Sequence, residues 1–465
     1  MKRLSILLIS CTLAMFTVSA QETITLTQQQ YDSILTRLLK LESQQNTKKV
    51  DAVSGATVQQ KTQTQPQERL TFGGYAEAMF TRNFYSDSWQ RHITPERYAN
   101  DKGHNRFDLP HVCLYLGYEF GRGWRFGTEI EFEHGGIEAA IEMEADEAGE
   151  YETEIERGGE VALEQLWIEK TFHKALNLRI GEIIVPVGLT NVHHTPVEFF
   201  TAYRSEGENS IIPCTWHELG ISIWGSTDKL RYEAMLLPGL DADRFSSEGW
   251  VHNGAGSPYE FKIANALAGA FRLDYTPIPS LRLGFSGYVG NSFINSLTKT
   301  TKYTKDGSTG TVVIGALDFE YAKKGLVARG NVDYGYLSDS YNITAFNKSM
   351  SQNSPSSAEA VAESAFAASV EIGYNVFETI AKLRQKESKL YIFGHYEYYD
   401  SMFTTVEGVP DYTYYGRHRI ACGINYYPIA PIGFKAEYSH RFLPKAFNNE
   451  PSLTIGVVFS GLFKR

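Results

Sequence analysis

The sequence predicts an all-β fold: a transmembrane antiparallel β-barrel of about sixteen strands, preceded by a short helical, coiled-coil segment. Three observations carry this. From Leu70 onward apolar and polar residues alternate as they do along a strand. Short turns and long polar segments alternate over the same stretch. The composition, with 28 Tyr, 40 Gly and 13% aromatic residues, suits aromatic girdles and tight turns better than a cytosolic enzyme, and no apolar run beyond the N-terminus is long enough for a helical span.

Residues 1–20 read as a secretory signal peptide. Lys2 and Arg3 precede an apolar stretch from Leu4 to Val18, and Val18-Ser19-Ala20 places small residues before Gln21. Residues 21–66 form a separate periplasmic module, rich in Gln, Thr and Ser. Tyr31, Ile34, Leu38 and Leu41 follow the spacing of a coiled-coil seam, a marginal amphipathic helix being the plainer alternative, and Gln44 to Pro66 reads as a linker. The barrel itself is expected over 67–465.

In the first strand Leu70, Phe72, Ala76, Ala78 and Phe80 fall on one face, with Thr71, Tyr75, Glu77 and Thr81 on the other. Val112, Leu114, Leu116, Tyr118 and Phe120 repeat the pattern. Past the turn Gly121-Arg122-Gly123 it returns as Trp124, Phe126, Ile130 and Phe132 against Arg125, Glu129, Glu131 and Glu133. Such alternation also fits a soluble sandwich with one wet face. The connections separate the two. Tight turns near His173-Lys174, Thr227-Asp228, Pro277-Ile278-Pro279, Lys324-Gly325 and Pro428 to Pro431 alternate with long segments such as Asn83 to Arg106, Gly135 to Glu160, Thr190 to Thr215 and Pro238 to Ala264. That is the layout of an up-and-down barrel with periplasmic turns and long outer loops. Unpaired backbone groups are not tolerated in lipid, so the sheet must close, and at this strand number its interior is too wide for side chains to fill.

The residues also exclude function classes. A net charge of -10 without a concentrated basic face argues against nucleic acid as a partner. Beyond the signal peptide, Cys113, Cys214 and Cys422 make no disulfide framework, and no CxxC or Cys/His pairing suggests zinc, so no cofactor and no metal are expected. No Ser/His/acid or HExxH constellation marks a catalytic centre. A barrel hydrolase and a secreted or surface-binding β-protein stand as the alternatives to a channel.

The run Gly181-Glu182-Ile183-Ile184-Val185-Pro186-Val187-Gly188-Leu189, then Pro196, Glu198-Phe199-Phe200 and Leu219-Gly220-Ile221-Ser222-Ile223-Trp224-Gly225, resembles the phosphate-selective porin family of the O and P type. Arg272-Leu273-Asp274-Tyr275-Thr276-Pro277 extends the resemblance along the barrel. It implies a homotrimeric channel in the outer membrane of a Gram-negative bacterium, in contact with lipid and lipopolysaccharide. Its N-terminus would lie in the periplasm. Small hydrophilic solutes or ions would diffuse through it passively, with anions such as phosphate as candidates. In such porins the third outer loop folds into the lumen, which implies a pore constriction at His193, His194, Glu198, Arg204, Glu206 and Glu208.

Strand parity turns Arg125, Arg179, Arg231, Arg272, Arg282 and Arg329 inward as pore-lining charges. It does the same for Glu77, Glu119, Glu129, Glu131, Asp318, Glu320, Glu371 and Glu437, so both signs line the interior. An inward third loop places its histidines where they titrate near about 6.5 and raise anion preference as pH falls. The acidic stretch Glu138 to Glu160 reads as an outer hairpin that holds divalent cations loosely.

Overall fold

The computed structural model describes residues 69–134, 138–144, 152–158, 161–256, 261–296, 307–349, 359–384 and 386–464. The signal peptide and coiled-coil module expected over 1–66 lie outside these residues. Sixteen strands close into one antiparallel barrel. They are β1 Leu70–Asn83, β2 His111–Gly121, β3 Trp124–Glu133, β4 Val161–His173, β5 Leu176–Ile184, β6 His217–Ser226, β7 Leu230–Pro238 and β8 Leu267–Ile278. The second half comprises β9 Leu281–Asn291, β10 Thr311–Lys323, β11 Leu326–Leu337, β12 Ser364–Asn375, β13 Lys389–Thr404, β14 Arg417–Ile429, β15 Ile432–Phe442 and β16 Glu450–Lys464. Each strand pairs with its sequence neighbours, and β16 closes on β1 from Thr71↔Lys464 to Asn83↔Ser452. Closure leaves no edge, so the sandwich alternative falls.

One further segment, Asn105–Asp108, continues β2 along the upper part of β1. Pro110 has no N–H to give the ladder. The register slips by one residue there, from Met79↔Asp108 to Ala76↔Val112.

The sheet is inside-out by the standard of a soluble protein. Leu317 is 58% exposed while its neighbours Ala316 and Asp318 are 1% and 6% exposed. Exposed aromatic side chains ring both ends: Phe120, Trp124, Phe172 and Tyr374 near the tight turns, Tyr334, Tyr336, Tyr438 and Phe442 near the long loops. A lipid-facing band between aromatic girdles accounts for both facts. At two tight turns, Arg122-Gly123 and Lys324-Gly325, both residues have positive φ, as a two-residue hairpin loop requires.

Between β12 and β13 the connection departs from the tight turns elsewhere. It holds a 3-10 turn at Val376–Thr379 and a short helix at Ala381–Arg384. At the opposite rim the loops turn inward instead of standing clear of the mouth. Trp216 after β5, Leu240, Phe245 and Trp250 after β7, and Ile343, Phe346 and Val361 after β11 are all buried in one apolar cluster. The interior is therefore partly filled by loops; the resemblance implies an inward third loop, but not the inward course of the loops after β7 and β11. The acidic outer stretch pairs as a separate hairpin, Glu138–Glu144 with Glu152–Gly158.

Candidate functional site: the third outer loop across the lumen

The loop between β5 and β6, L3, leaves the wall at Pro186 and returns at Trp216. Its base is knitted by Asn191. The Asn191 amide nitrogen donates to the Val185 and Val187 carbonyls at 2.7 and 3.2 Å, and its amide oxygen accepts from Trp216 N–H at 2.6 Å. Glu208, in the short helix Glu206–Ile211, accepts from the N–H groups of Leu189 and Asn191, both at 2.9 Å. Gly188 has φ +83, and a Cβ there would meet the Glu208 carboxylate at 2.3 Å. The start and end of L3 thus lock together.

Its middle reaches the far wall. Phe200 N–H and Ala202 N–H donate to Glu371 of β12 and Glu437 of β15. Lys435 of β15 donates to the carbonyls of Phe199 and Thr201 at 2.9 and 2.8 Å, and Asn425 of β14 to that of Phe200 at 2.8 Å. Phe200 lies so close over Gly373 of β12 that a Cβ there would sit 2.3 Å from its ring. Further on, Ser205 Oγ and Gly207 N–H donate to Glu397 of β13, and Glu206 pairs with Arg441 at 2.6 Å and Arg419 at 3.3 Å. L3 therefore spans the lumen, fastened through its backbone to wall charges.

The six expected constriction residues do not behave alike. His193, Glu198 and Glu206 keep about a fifth of their side-chain surface exposed, and His193 Nδ1 lies 3.8 Å from Glu198. Glu208, His194 and Arg204 are buried instead. Arg204 donates to Thr215 at 3.0 Å and, at 3.4 Å, to the Tyr75 hydroxyl of β1. Burial and the nearby Arg204 guanidinium hold His194 below its ordinary value of 6.5, so it does not supply the positive charge expected of it as pH falls. Burial tends to raise the Glu206 carboxyl, but Arg419 and Arg441 outweigh it and bring it down to about 2.

The wall charges are paired as well. Arg272 and Arg282 share Asp318 and Asp274 at 2.7 to 3.0 Å, Arg282 also binds Glu320 at 2.8 Å, and Arg272 donates to the L3 carbonyl of Gly188. Arg329 donates to the Glu198 carbonyl at 2.7 Å and lies 3.5 Å from Glu371. On β3, Glu129 accepts from Gln165 and Glu131 from the Cys113 thiol. These groups bear L3 or one another, and all of them except Glu320, whose side chain is 32% exposed, leave little surface to water. Nearer the tight turns, Arg125 and Arg179 both bind Glu169, Arg231 binds Glu233, and all three keep 17 to 28% of their side chains exposed. Arg179 lies over the rings of Trp167 and Trp224 at 4.6 and 5.8 Å, and Arg231 over Trp224 at 4.8 Å. Parity could expose Glu397, Arg419, Lys435 and Arg441 as inward residues; nothing local marks them as holders of L3.

The geometry has relatives among solved structures. OmpF of Salmonella typhi, in complex with daunomycin, matches with a TM-score of 0.50 at 10% identity, over 84% of this chain and 97% of that one. OprB of Pseudomonas putida matches with a TM-score of 0.49 at 9% identity, over 85% and 94% of the two chains. These neighbours are outer-membrane porins built on a 16-strand barrel. In sequence, an uncharacterised protein of Aquifex aeolicus is 27% identical over 381 residues, 80% of this chain and 76% of its own. No family model matches the chain.

Glu208 makes L3 pH-sensitive in a defined direction. Burial pushes its carboxyl from 4.5 up to about 7, although the backbone N–H groups of Asn191, Leu189 and Thr190 oppose the shift. A raised folded-state pKa contributes stability that is complete below 4.5 and lost as pH rises through about 7. The urea midpoint of the detergent-folded barrel is expected to fall between pH 5 and pH 8, and Glu208→Gln to flatten that fall. An unchanged slope in the variant would remove Glu208 from the account.

Proposed function

We propose that the chain is an outer-membrane porin, a passive channel for small hydrophilic solutes in a Gram-negative bacterium, and not an enzyme. The observation that carries this reading is L3 itself, fastened across the lumen of a closed barrel so that it sets the passage. His193, Glu198 and Glu206 are the constriction charges that remain in reach of water. A homotrimer in lipid and lipopolysaccharide is the proposed assembly, with residues 21–66 assisting trimerisation from the periplasm.

Anions, phosphate among them, are the favoured solutes. Below L3, Arg125, Arg179 and Arg231 outnumber the carboxylates they bind, Glu169 and Glu233, and Arg179 and Arg231 stack on tryptophan faces that hold their guanidiniums toward the lumen. A narrow passage between low-dielectric walls focuses the field of such charges. This motivates placement in the phosphate-selective O and P type. Reversal potentials in asymmetric salt test it: wild type is expected to prefer chloride, and the triple change Arg125→Gln, Arg179→Gln, Arg231→Gln to shift the potential toward the cation side. A cation-preferring wild type, or a triple variant with unchanged potential, would refute anion selectivity from this rank.

A further inference from the structure

We infer that the lumenal wall beside L3 holds a divalent transition-metal site centred on Glu164, with Cys113 and Glu131 to one side of it and Glu129 and His194 to the other. The sequence offers no hint of this by spacing, because its residues come from β2, β3, β4 and L3. A β-bulge creates the centre. Glu129 pairs with Gln165 and Ile130 with Leu163, so Glu164 is the extra residue of β4, and it is buried on the inner side of the wall.

The ligating atoms of Cys113, Glu131 and Glu164 lie within 4.8 Å of one another, and so do those of Glu129, Glu164 and His194. All five residues are buried. Glu164 is 1% exposed, and its carboxylate oxygens accept no hydrogen bond within ordinary distance and angle limits, although the Thr215 hydroxyl and the Glu131 carboxyl are its polar neighbours. A buried carboxylate so poorly served by donors is costly unless a cation or a proton meets it. Arg204 lies near enough to act on Glu164 electrostatically, but the hydrogen bonds of its terminal nitrogens go to the hydroxyls of Thr215 and Tyr75 and not to the carboxylate.

His194 is already oriented as a ligand. Its Nδ1 lies 3.0 Å from the Asn191 carbonyl, which can only accept, so Nδ1 carries the proton and Nε2 keeps its lone pair. A ring nitrogen donating to a backbone carbonyl is the usual support of a metal-bound histidine. Each triad offers one soft or nitrogen donor, the Cys113 thiol or the His194 imidazole, beside two carboxylates, and such a set suits an ion of the zinc class, whereas calcium and magnesium take oxygen ligands. At present the Cys113 thiol donates to Glu131 at 3.2 Å; an ion bound there replaces that proton and releases it. Since His194 belongs to L3 and the other four to the wall, an ion held by Glu129, Glu164 and His194 would clasp the loop to β3 and β4, and one held by Cys113, Glu131 and Glu164 would tie β2, β3 and β4 together.

The test uses the full-length mature protein without a polyhistidine tag, folded in detergent, stripped with a chelator and titrated with Zn²⁺ alone, then with Zn²⁺ against excess Ca²⁺. Wild type is expected to take up Zn²⁺ stoichiometrically and to keep it against Ca²⁺. Changes to supporting groups alone typically cost about 10–100-fold in affinity, so Glu164→Gln, a ligand change, is expected to cost at least about a hundredfold. Heat-modifiable migration verifies that the variant is folded. Co²⁺ in place of Zn²⁺ should give a thiolate-to-cobalt charge-transfer band that Cys113→Ser abolishes, which keeps the site testable if Glu164→Gln does not fold. Equal Zn²⁺ uptake by folded Glu164→Gln and wild type would overturn the inference. So would absence of stoichiometric uptake, with protons alone neutralising the carboxylates, or a cobalt complex without the charge-transfer band.

Discussion

Replacing Arg419 with Met is expected to lower the stability of the folded barrel by about 3–5 kcal/mol, the cost of breaking a buried ion pair by removing one partner. Arg419 is 2% exposed and binds Glu397 at 2.8 Å, Glu437 at 2.6 Å and Glu206 at 3.3 Å. Two of these carboxylates belong to the wall and the third to L3, so one guanidinium neutralises both sides of the contact. Removing it leaves three acids facing one another, and Arg441 reaches only Glu206 among them. The unfolding midpoint in urea measures the loss, and single-channel recordings should show added current noise as L3 loosens. A variant with the wild-type midpoint would mean that the cluster does not hold the loop.

The second large effect lies in the apolar cluster at the mouth. Trp250→Ala is expected to cost about 3–5 kcal/mol, as truncation of a fully buried large aromatic does. Trp250 is 0% exposed, donates from Nε1 to the Ala362 carbonyl at 3.1 Å, and lies against Gly335 of β11 so closely that a Cβ there would meet its ring at 2.1 Å. The loops after β7 and β11 share this side chain. Limited proteolysis should therefore cut both loops faster in the variant, with the strands still protected. Cleavage confined to the loop after β7 would contradict a shared core.

Much of the barrel was legible in the sequence because a strand with one lipid face writes its period directly into the residues. Leu114, Leu116, Tyr118 and Phe120 name their face without knowledge of any partner. The connection after β12 was not legible for a local reason. Tyr374 to Ser388 contains neither Gly nor Pro, so nothing marks a turn, and the structure uses a 3-10 turn and a helix instead. The inward course of L3 came from resemblance alone. Its ties could not be read, because Glu206 and Arg441 stand 235 residues apart and meet only after the barrel has closed. Glu164 left a faint trace. Glu164-Gln165 is a polar pair between Leu163 and Leu166, which breaks the alternation where the bulge occurs.

The central claim is that L3 sets the passage through the barrel, and removal of the loop tests it most directly. Val185 N–H donates to the Trp216 carbonyl at 2.8 Å, so the two ends already continue the β5–β6 ladder and a two-residue Asn-Gly turn can replace residues 187–214. Wall carboxylates such as Glu371, Glu397 and Glu437 would then face water instead of L3. Single-channel conductance in planar bilayers, compared between wild type and this shortened protein after heat-modifiable migration has verified folding, is the measurement. A severalfold rise in conductance is the predicted result; a folded, inserted variant with wild-type conductance would contradict it.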